Sequence, residues 1–241
     1  MVRLAAVVRE NRFFLFFLLS LGLVRTAVAD YNPVPSGSMH PTILEGDVVL
    51  VNRLAYGLKL PLTDVVLARL GDPRRGDIVT FSSPLDGTRL IKRVIGLPGD
   101  VVAMRDKRLC INGQWVAYAA DGTFVDTRGS GAPRPALQLE ETIDQRRHAI
   151  VWLARVRTAP DFGPITVPAD QYLMLGDNRD DSADSRFIGL VPRERLIGRA
   201  ERILVSADIT GNWLPRFERF GRSLEDEAAE TQISASTRPR Y

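Results

Sequence analysis

The first apolar block of the chain has no polar face. From Phe13 to Val24 it reads FFLFFLLSLGLV, with no charge and with Phe and Leu on every side of a helical projection. That pattern suits lipid better than a core-facing stripe. Arg3, Arg9 and Arg12 precede the block, and Arg25 follows it. Two elements fit. The basic start, the twelve apolar residues and Ala27-Val28-Ala29 match a cleavable signal peptide. Residues 13–29 equally match a membrane anchor of 17 residues. As a helix it is about 25 Å long, against a hydrocarbon core of ~30 Å. In either case the preceding arginines put residues 1–12 in the cytoplasm and the bulk of the chain outside.

Beyond this block the pattern shortens. GDVVLVNRLAYG (46–57), GDIVTFSSP (76–84), TRLIKRVIGLPGD (88–100) and QYLMLGDNRD (171–180) are apolar or β-branched runs bounded by Gly, Pro and Asp. Such punctuation predicts strands and turns. LTDVVLARLG (62–71) is the best candidate for a soluble helix. There is no internal repeat and no βαβ alternation, so the predicted fold is mostly β, with antiparallel strands in a sandwich or partly closed barrel. Between Val101 and Val167 the pattern loosens. AADGTFVDTRGSGAPRPALQLEETIDQRRH is polar and Gly/Pro-rich, with RLCINGQWVAY and HAIVWLARV as strand candidates on either side. We read 101–167 as an insertion into a core of residues 30–100 and 168–220. NWLPRFERFGR (212–222) mixes Trp213, Phe217 and Phe220 with arginines. That composition suits a membrane interface or an element packing on the core. Residues 221–241 hold almost no large apolar side chain and are expected to be a disordered tail.

Composition narrows the function classes. A chain of 241 residues has room for one large or two modest domains. A net charge of +3, without a long Lys/Arg block, gives no basis for nucleic-acid binding. The single cysteine, Cys110, excludes an intramolecular disulfide and a cysteine-based zinc cluster.

The chemistry is suggested by PVPSGSMHPT (33–42), where Ser38 lies on a turn stiffened by prolines. A serine hydroxyl needs a base to become a nucleophile, and the chain has two histidines, His40 and His148. His40 is two residues from Ser38, and the following proline favours an extended backbone. Side chains at that spacing are ~6–7 Å apart, beyond hydrogen-bond reach. His148 adjoins Arg146 and Arg147 in a stretch expected to be solvated.

A lysine can serve instead. Its pKa must fall from ~10.4 by roughly three units, about 4 kcal/mol, and burial away from carboxylates can do this. Lys59 lies in a turn and Lys107 in the charged RDKR. Lys92 sits inside RLIKRVIG, sharing a strand face with Leu90 and Val94. It is either that base or a snorkelling edge-strand lysine. GDNRDDSADSR (176–186) carries four aspartates, but neither register gives the Gly and Glu that a calcium loop requires. Asx turns and Asp–Arg pairs are the plainer reading. No metal or cofactor is expected.

In order, an apolar N-terminal segment, PSGSMHPT, GDVVLVNRLAYG, RGDIVTF, LIKRVIGLPGD and GDNRDDSADSR resemble the bacterial type I signal peptidases, the membrane-anchored Ser–Lys endopeptidases that remove signal peptides. The resemblance implies an antiparallel β catalytic core with an inserted smaller β domain, behind one N-terminal transmembrane helix. It implies Ser38 as nucleophile and Lys92 as general base. The oxyanion donors are then the Ser38 backbone N–H and the Ser36 hydroxyl. Ser182 orients the lysine, and Asp184 and Arg186 brace the site as an ion pair. Val34, Pro35 and Ile91 line shallow pockets for small side chains, so cleavage follows an Ala-X-Ala type sequence.

Its partners are signal peptides of exported preproteins and the lipid bilayer. Its place is the bacterial inner membrane, single-pass, with the catalytic domain extracytoplasmic. Under this reading Ala27-Val28-Ala29 belongs to the first core strand rather than to a cleavage site. Three features depart from the family pattern: one apolar span where some members have two, a short insertion without a cysteine pair, and the Tyr31-Asn32-Pro33 lead-in. Two alternatives go with it. One is a maturation peptidase dedicated to one exported substrate, such as a conjugation pilin. The other is an inactive membrane-anchored module that binds preproteins.

Overall fold

A computed structural model describes residues 10–60, 65–126, 134–153 and 161–225. Among the described residues helix is confined to α1 (Arg12–Ala27) and the single turn α2 (Ser185–Ile188), apart from three short 3₁₀ turns. The rest is strand and loop. All strand pairs among the described residues are antiparallel, as expected for a mostly β chain.

The main sheet has seven strands in the order β1-β2-β16-β5-β6-β14-β15. These are β1 (Ala29–Pro33), β2 (Asp47–Asn52), β5 (Ile78–Ser82), β6 (Arg89–Gly96), β14 (Gln171–Leu175), β15 (Val191–Pro192) and β16 (Leu196–Ser206). Strand β6 lies between β5 and β14 and is buried from Ile91 to Gly96. Burial on both faces explains its near-continuous apolar run. Ile91 packs with Val34, Met39 and Ile43, Val94 with Val79, Phe81 and Met174, and Ile95 with Val102, Leu173 and Leu175. One strand thus joins three apolar clusters, and the charged pair Lys92-Arg93 sits at its centre.

Strands β6 and β14 are neighbours, yet seven strands intervene between them in sequence. β7 (Val101–Arg105), β8 (Arg108–Ile111), β9 (Gln114–Trp115) and β13 (Phe162–Thr166) form a four-stranded sheet. β10 (Ala117–Asp126), β11 (Arg134–Ile143) and β12 (Arg146–Leu153) form a three-stranded meander. The stretch read as loose therefore contains the long strands β10 and β11, with eight register pairs joining β11 to β12. Asp144 and Gln145, both at positive φ, make the tight turn between them. Positive φ at both central residues is the geometry that suits the twist of a hairpin.

The helix expected within 62–71 is replaced by strand. β4 (Val66–Arg69) pairs with β3 (Gly57–Lys59), and every residue of β4 is exposed. Residues 61–64 lie outside the described ones. An apolar run this short lacks the length for a stable isolated helix, and pairing satisfies its backbone. At the other end, residues 221–225 still pair along β16: Ile203 N donates to Arg222 O, Gly221 N to Ile203 O and Leu224 N to Glu201 O. Leu224 is buried, so contact with the core persists past the expected tail boundary at 221. Residues 226–241 lie outside the described ones.

Helix α1 spans 16 residues, about 24 Å. No helix among the described residues is long and apolar enough to cross a membrane.

Candidate active site

Three segments meet at Ser38. The first is the turn that carries it. His40 N donates to Gly37 O at 3.0 Å and Ile43 N to Met39 O at 3.0 Å. The backbone at His40 is therefore coiled into a turn, not extended as Pro41 alone suggested. Buried Met39 and Ile43 seat this turn in the core. The second segment is β6, whose Lys92 Nζ stands 2.6 Å from Ser38 Oγ and donates to Ile91 O at 2.9 Å. The third is the loop after β14. There Asn178 N donates to Ser38 O at 3.1 Å and Asn178 Nδ2 to Gly37 O at 3.3 Å.

Lys92 is 2% exposed. Burial lowers its pKa, against the opposing pull of Asp184 and Asp177, to about 8. The amine has no salt-bridge partner among the described residues, and its hydrogen bonds go to Ser38 Oγ and the Ile91 carbonyl. About half of it is neutral near pH 8 and most of it above, and the neutral form is able to accept a proton.

Both histidines are committed elsewhere. His40 is buried with Nε2 2.5 Å from Glu45 Oε2, so its imidazole braces the turn. His148, expected in a solvated stretch, is buried on β12 with Nε2 2.9 Å from Glu141 Oε2. The preceding arginines at the start of β12 are exposed, whereas His148, further into the strand, is buried against Glu141.

Of the other residues singled out in the sequence, Asp184 and Arg186 form a two-pronged ion pair, with Nε–Oδ1 and Nη2–Oδ2 contacts of 2.7 Å. Asp184 also caps α2 and accepts from Gly176 N at 3.0 Å. Ser182 Oγ is buried and makes no hydrogen bond among the described residues, including none to Lys92. It does share a tight spot with the serine. A Cβ on Gly176 would meet Ser182 Oγ at 2.3 Å and Ser38 O at 2.4 Å. Val34 and Ile91 lie in one buried cluster, whereas Pro35 and Ser36 are exposed.

Residues that sequence reasoning passed over hold these segments together. Arg93, next to Lys92, donates from Nε to Asp177 Oδ1 at 2.8 Å and from NH2 to Asp177 Oδ2 at 2.6 Å. Thr42 Oγ1 donates to the same carboxylate at 2.6 Å. Burial, which pushes the Asp177 carboxyl up, is outweighed by Arg93, which holds it below the ordinary range. One carboxylate thereby ties the serine turn, β6 and the loop after β14. Behind it Val151 N donates to Asp177 O at 2.9 Å and Arg179 N to Val151 O at 3.0 Å. The Arg179 side chain pairs with Glu141 through both guanidinium nitrogens and donates to Gly176 O at 3.2 Å. The available signal was an arginine inside a buried strand, which needs a counter-charge, and GDNRDD is one acid-rich block able to supply it.

The family model described as "Signal peptidase, peptidase S26" matches residues 7–205. Signal peptidase I of Pseudomonas fluorescens is 40% identical over 213 residues, covering 83% of this chain and 73% of that protein. Signal peptidase I of Pseudomonas aeruginosa is 38% identical over the same shares of the two chains. Signal peptidase I of Buchnera aphidicola is 32% identical over 247 residues, covering 87% of this chain and 78% of that protein.

Proposed function

The chain belongs to the signal peptidase family, peptidase S26, and from that membership we propose a serine endopeptidase that removes signal peptides with a Ser38–Lys92 dyad. The observation that carries the dyad is the 2.6 Å approach of a buried lysine, its pKa lowered to about 8, to the serine hydroxyl. In this reading the neutral amine donates one N–H to Ile91 O and turns its lone pair to the hydroxyl. As Ser38 Oγ attacks the scissile carbonyl, its proton passes to Lys92. The Ser38 N–H, without a hydrogen-bond partner among the described residues, and the exposed Ser36 hydroxyl receive the oxyanion. The ammonium then gives its proton to the departing amine, and the amine regenerated on Lys92 draws a proton from the water that hydrolyses the acyl-enzyme.

Asp184 and Arg186 brace the chain around Ser182, and we assign Ser182, whose buried hydroxyl has no hydrogen-bond partner among the described residues, the role of orienting the amine. We assign the substrate pockets to Val34 and Ile91, both nearly closed to solvent, and the exposed Pro35. Small residues of the Ala-X-Ala type are their proposed occupants. We also assign α1 as a membrane anchor, supported by the exposed Phe13, Phe14, Phe16 and Phe17 and by its direct run into β1. The body of the chain then lies on the extracytoplasmic side of the inner membrane. Strands β7–β13 form the inserted domain.

The test is cleavage of a preprotein in vitro. Ser38→Ala and Lys92→Met each abolish it, and residual cleavage by both variants rejects the dyad. A panel of preproteins separates a general enzyme from one dedicated to a single substrate.

A further inference from the structure

A cavity of about 590 Å³ lies behind the Asp177 tie, away from Ser38, and its wall is rich in guanidinium groups. Arg74 precedes β5, Arg93 lies on β6, Arg146 and Arg147 on β12, and Arg199 on β16. Two carboxylates, Asp77 and Glu225, share the lining. We propose that this cavity is a binding site for a multivalent oxyanion of the phosphate class.

Existing partners leave much of this donor capacity unused. Arg93 is committed to Asp177. Arg199 is shared between Glu201 at 3.1 Å and Glu225 at 3.0 Å, yet its Nε is buried without a partner. Arg146 reaches Asp77 at 3.3 Å and Arg147 reaches Glu140 at 3.7 Å, with both side chains nearly half exposed. The Arg74 side chain makes no hydrogen bond or ion pair among the described residues, since the loop bond to Asp77 is made by its backbone N–H. A guanidinium offers five N–H donors in a planar fork suited to phosphate oxygens, and charged hydrogen bonds of this kind are the strong ones. Asp77 does not compete fully for them, because it also accepts from Tyr56 Oη at 3.1 Å and Arg74 N at 2.9 Å. A phosphate-class anion would bridge the open forks of Arg74, Arg146 and Arg147, the arginines of the lining that keep exposed donors.

The source is either a free phosphate compound or a phospholipid headgroup. Inorganic pyrophosphate serves as probe, added to the full chain reconstituted in phosphatidylcholine vesicles. A saturable rise in Tm is expected, absent with sodium chloride at equal ionic strength. Replacing the exposed Arg74 and Arg147 together with glutamine should weaken binding at least about tenfold, as loss of one charged hydrogen bond already does. These positions lie on the rim, so the variant keeps the parent's Tm without ligand. A Tm response that chloride reproduces, or an affinity unchanged in the double variant, overturns the site. Vesicles containing phosphatidylglycerol identify the source: loss of the pyrophosphate response assigns the cavity to the headgroup, and an undiminished response assigns it to free phosphate.

Discussion

Lys92, held at about 8 by burial where the ordinary value is 10.5, binds fewer protons in the folded chain than in the unfolded one between those two pH values. Stability therefore rises with pH across that window, and below it the folded state carries a deficit on the order of 3 kcal/mol. Lys92→Met removes the titration, so the variant should unfold at higher urea than the parent at pH 7, with the gap closing by pH 10. A constant gap would contradict the lowered pKa. Cleavage should rise with pH and level off above about 8 as the amine loses its proton. Gly176 gives a second expectation. Its missing Cβ leaves room for Ser38 O, and an alanine would stand 2.4 Å from that oxygen. Overpacking of this kind costs about 1–3 kcal/mol, and displacement of the nucleophile on the ångström scale lowers kcat about a hundredfold. Ser38 and Lys92 were legible because few other bases were available and because the apolar strand isolates its lysine. Arg93, Thr42 and Asn178 were not, since their roles rest on contacts across more than fifty residues of chain.

Strand β12 performs a task its sequence conceals. Its backbone pairs in parallel with Asn178 through Val151, and its neighbour β11 supplies Glu141 to Arg179. Burial pushes Glu141 up, but Arg179 and His148 outweigh it and keep the carboxylate ionised far below the ordinary range. Burial, and then the nearby Arg93, lower the His148 pKa and favour its neutral form. Glu141→Gln leaves Arg179 charged without a counter-charge in a fully buried place. A loss of about 3–5 kcal/mol is expected, read as a lower urea midpoint, and cleavage should fall with it because Arg179 N and Val151 fix the loop that holds Ser38. A midpoint unchanged in Glu141→Gln would show the pair to be expendable. The sequence around these strands looked loose for a physical reason. Their inward positions include Glu141 and His148 as well as apolar residues, so the period-two signal is diluted. Two of the hairpin turns, Asp106-Lys107 and Asp144-Gln145, lie at positive φ without glycine, unlike the Asn112-Gly113 turn between β8 and β9. A search for Asn-Gly or Asp-Gly misses both.

For the whole molecule, one group of exposed apolar side chains near the C-terminal end of the described chain bears on membrane contact. Trp213, Leu214, Phe217 and Phe220 face solvent, with Phe217 and Phe220 ring centroids 5.2 Å apart. The arginines among them turn inward: Arg219 to Asp47 at 2.6 Å, and Arg216 to Asp208 at 2.8 Å and Glu45 O at 2.9 Å. Composition alone left this segment between an interfacial patch and a core-packing element. Which side chains carry the packing was hidden, because one expects aromatics inside and arginines outside. The reversal suits a lipid interface, where Trp and Phe insert at headgroup depth. It also gives α1 a companion at the same surface in the proposed topology. Trp213→Ser with Phe217→Ser should leave folding unchanged, since both rings are about seven-tenths exposed. With residues 1–27 removed, the parent should sediment with phosphatidylglycerol vesicles and the double variant should not. In the full chain, the same pair of substitutions should slow cleavage of a membrane-inserted preprotein while sparing a short soluble peptide. Equal loss on both substrates would place these aromatics in the peptide-binding surface instead, and no loss on either would remove them from the reaction.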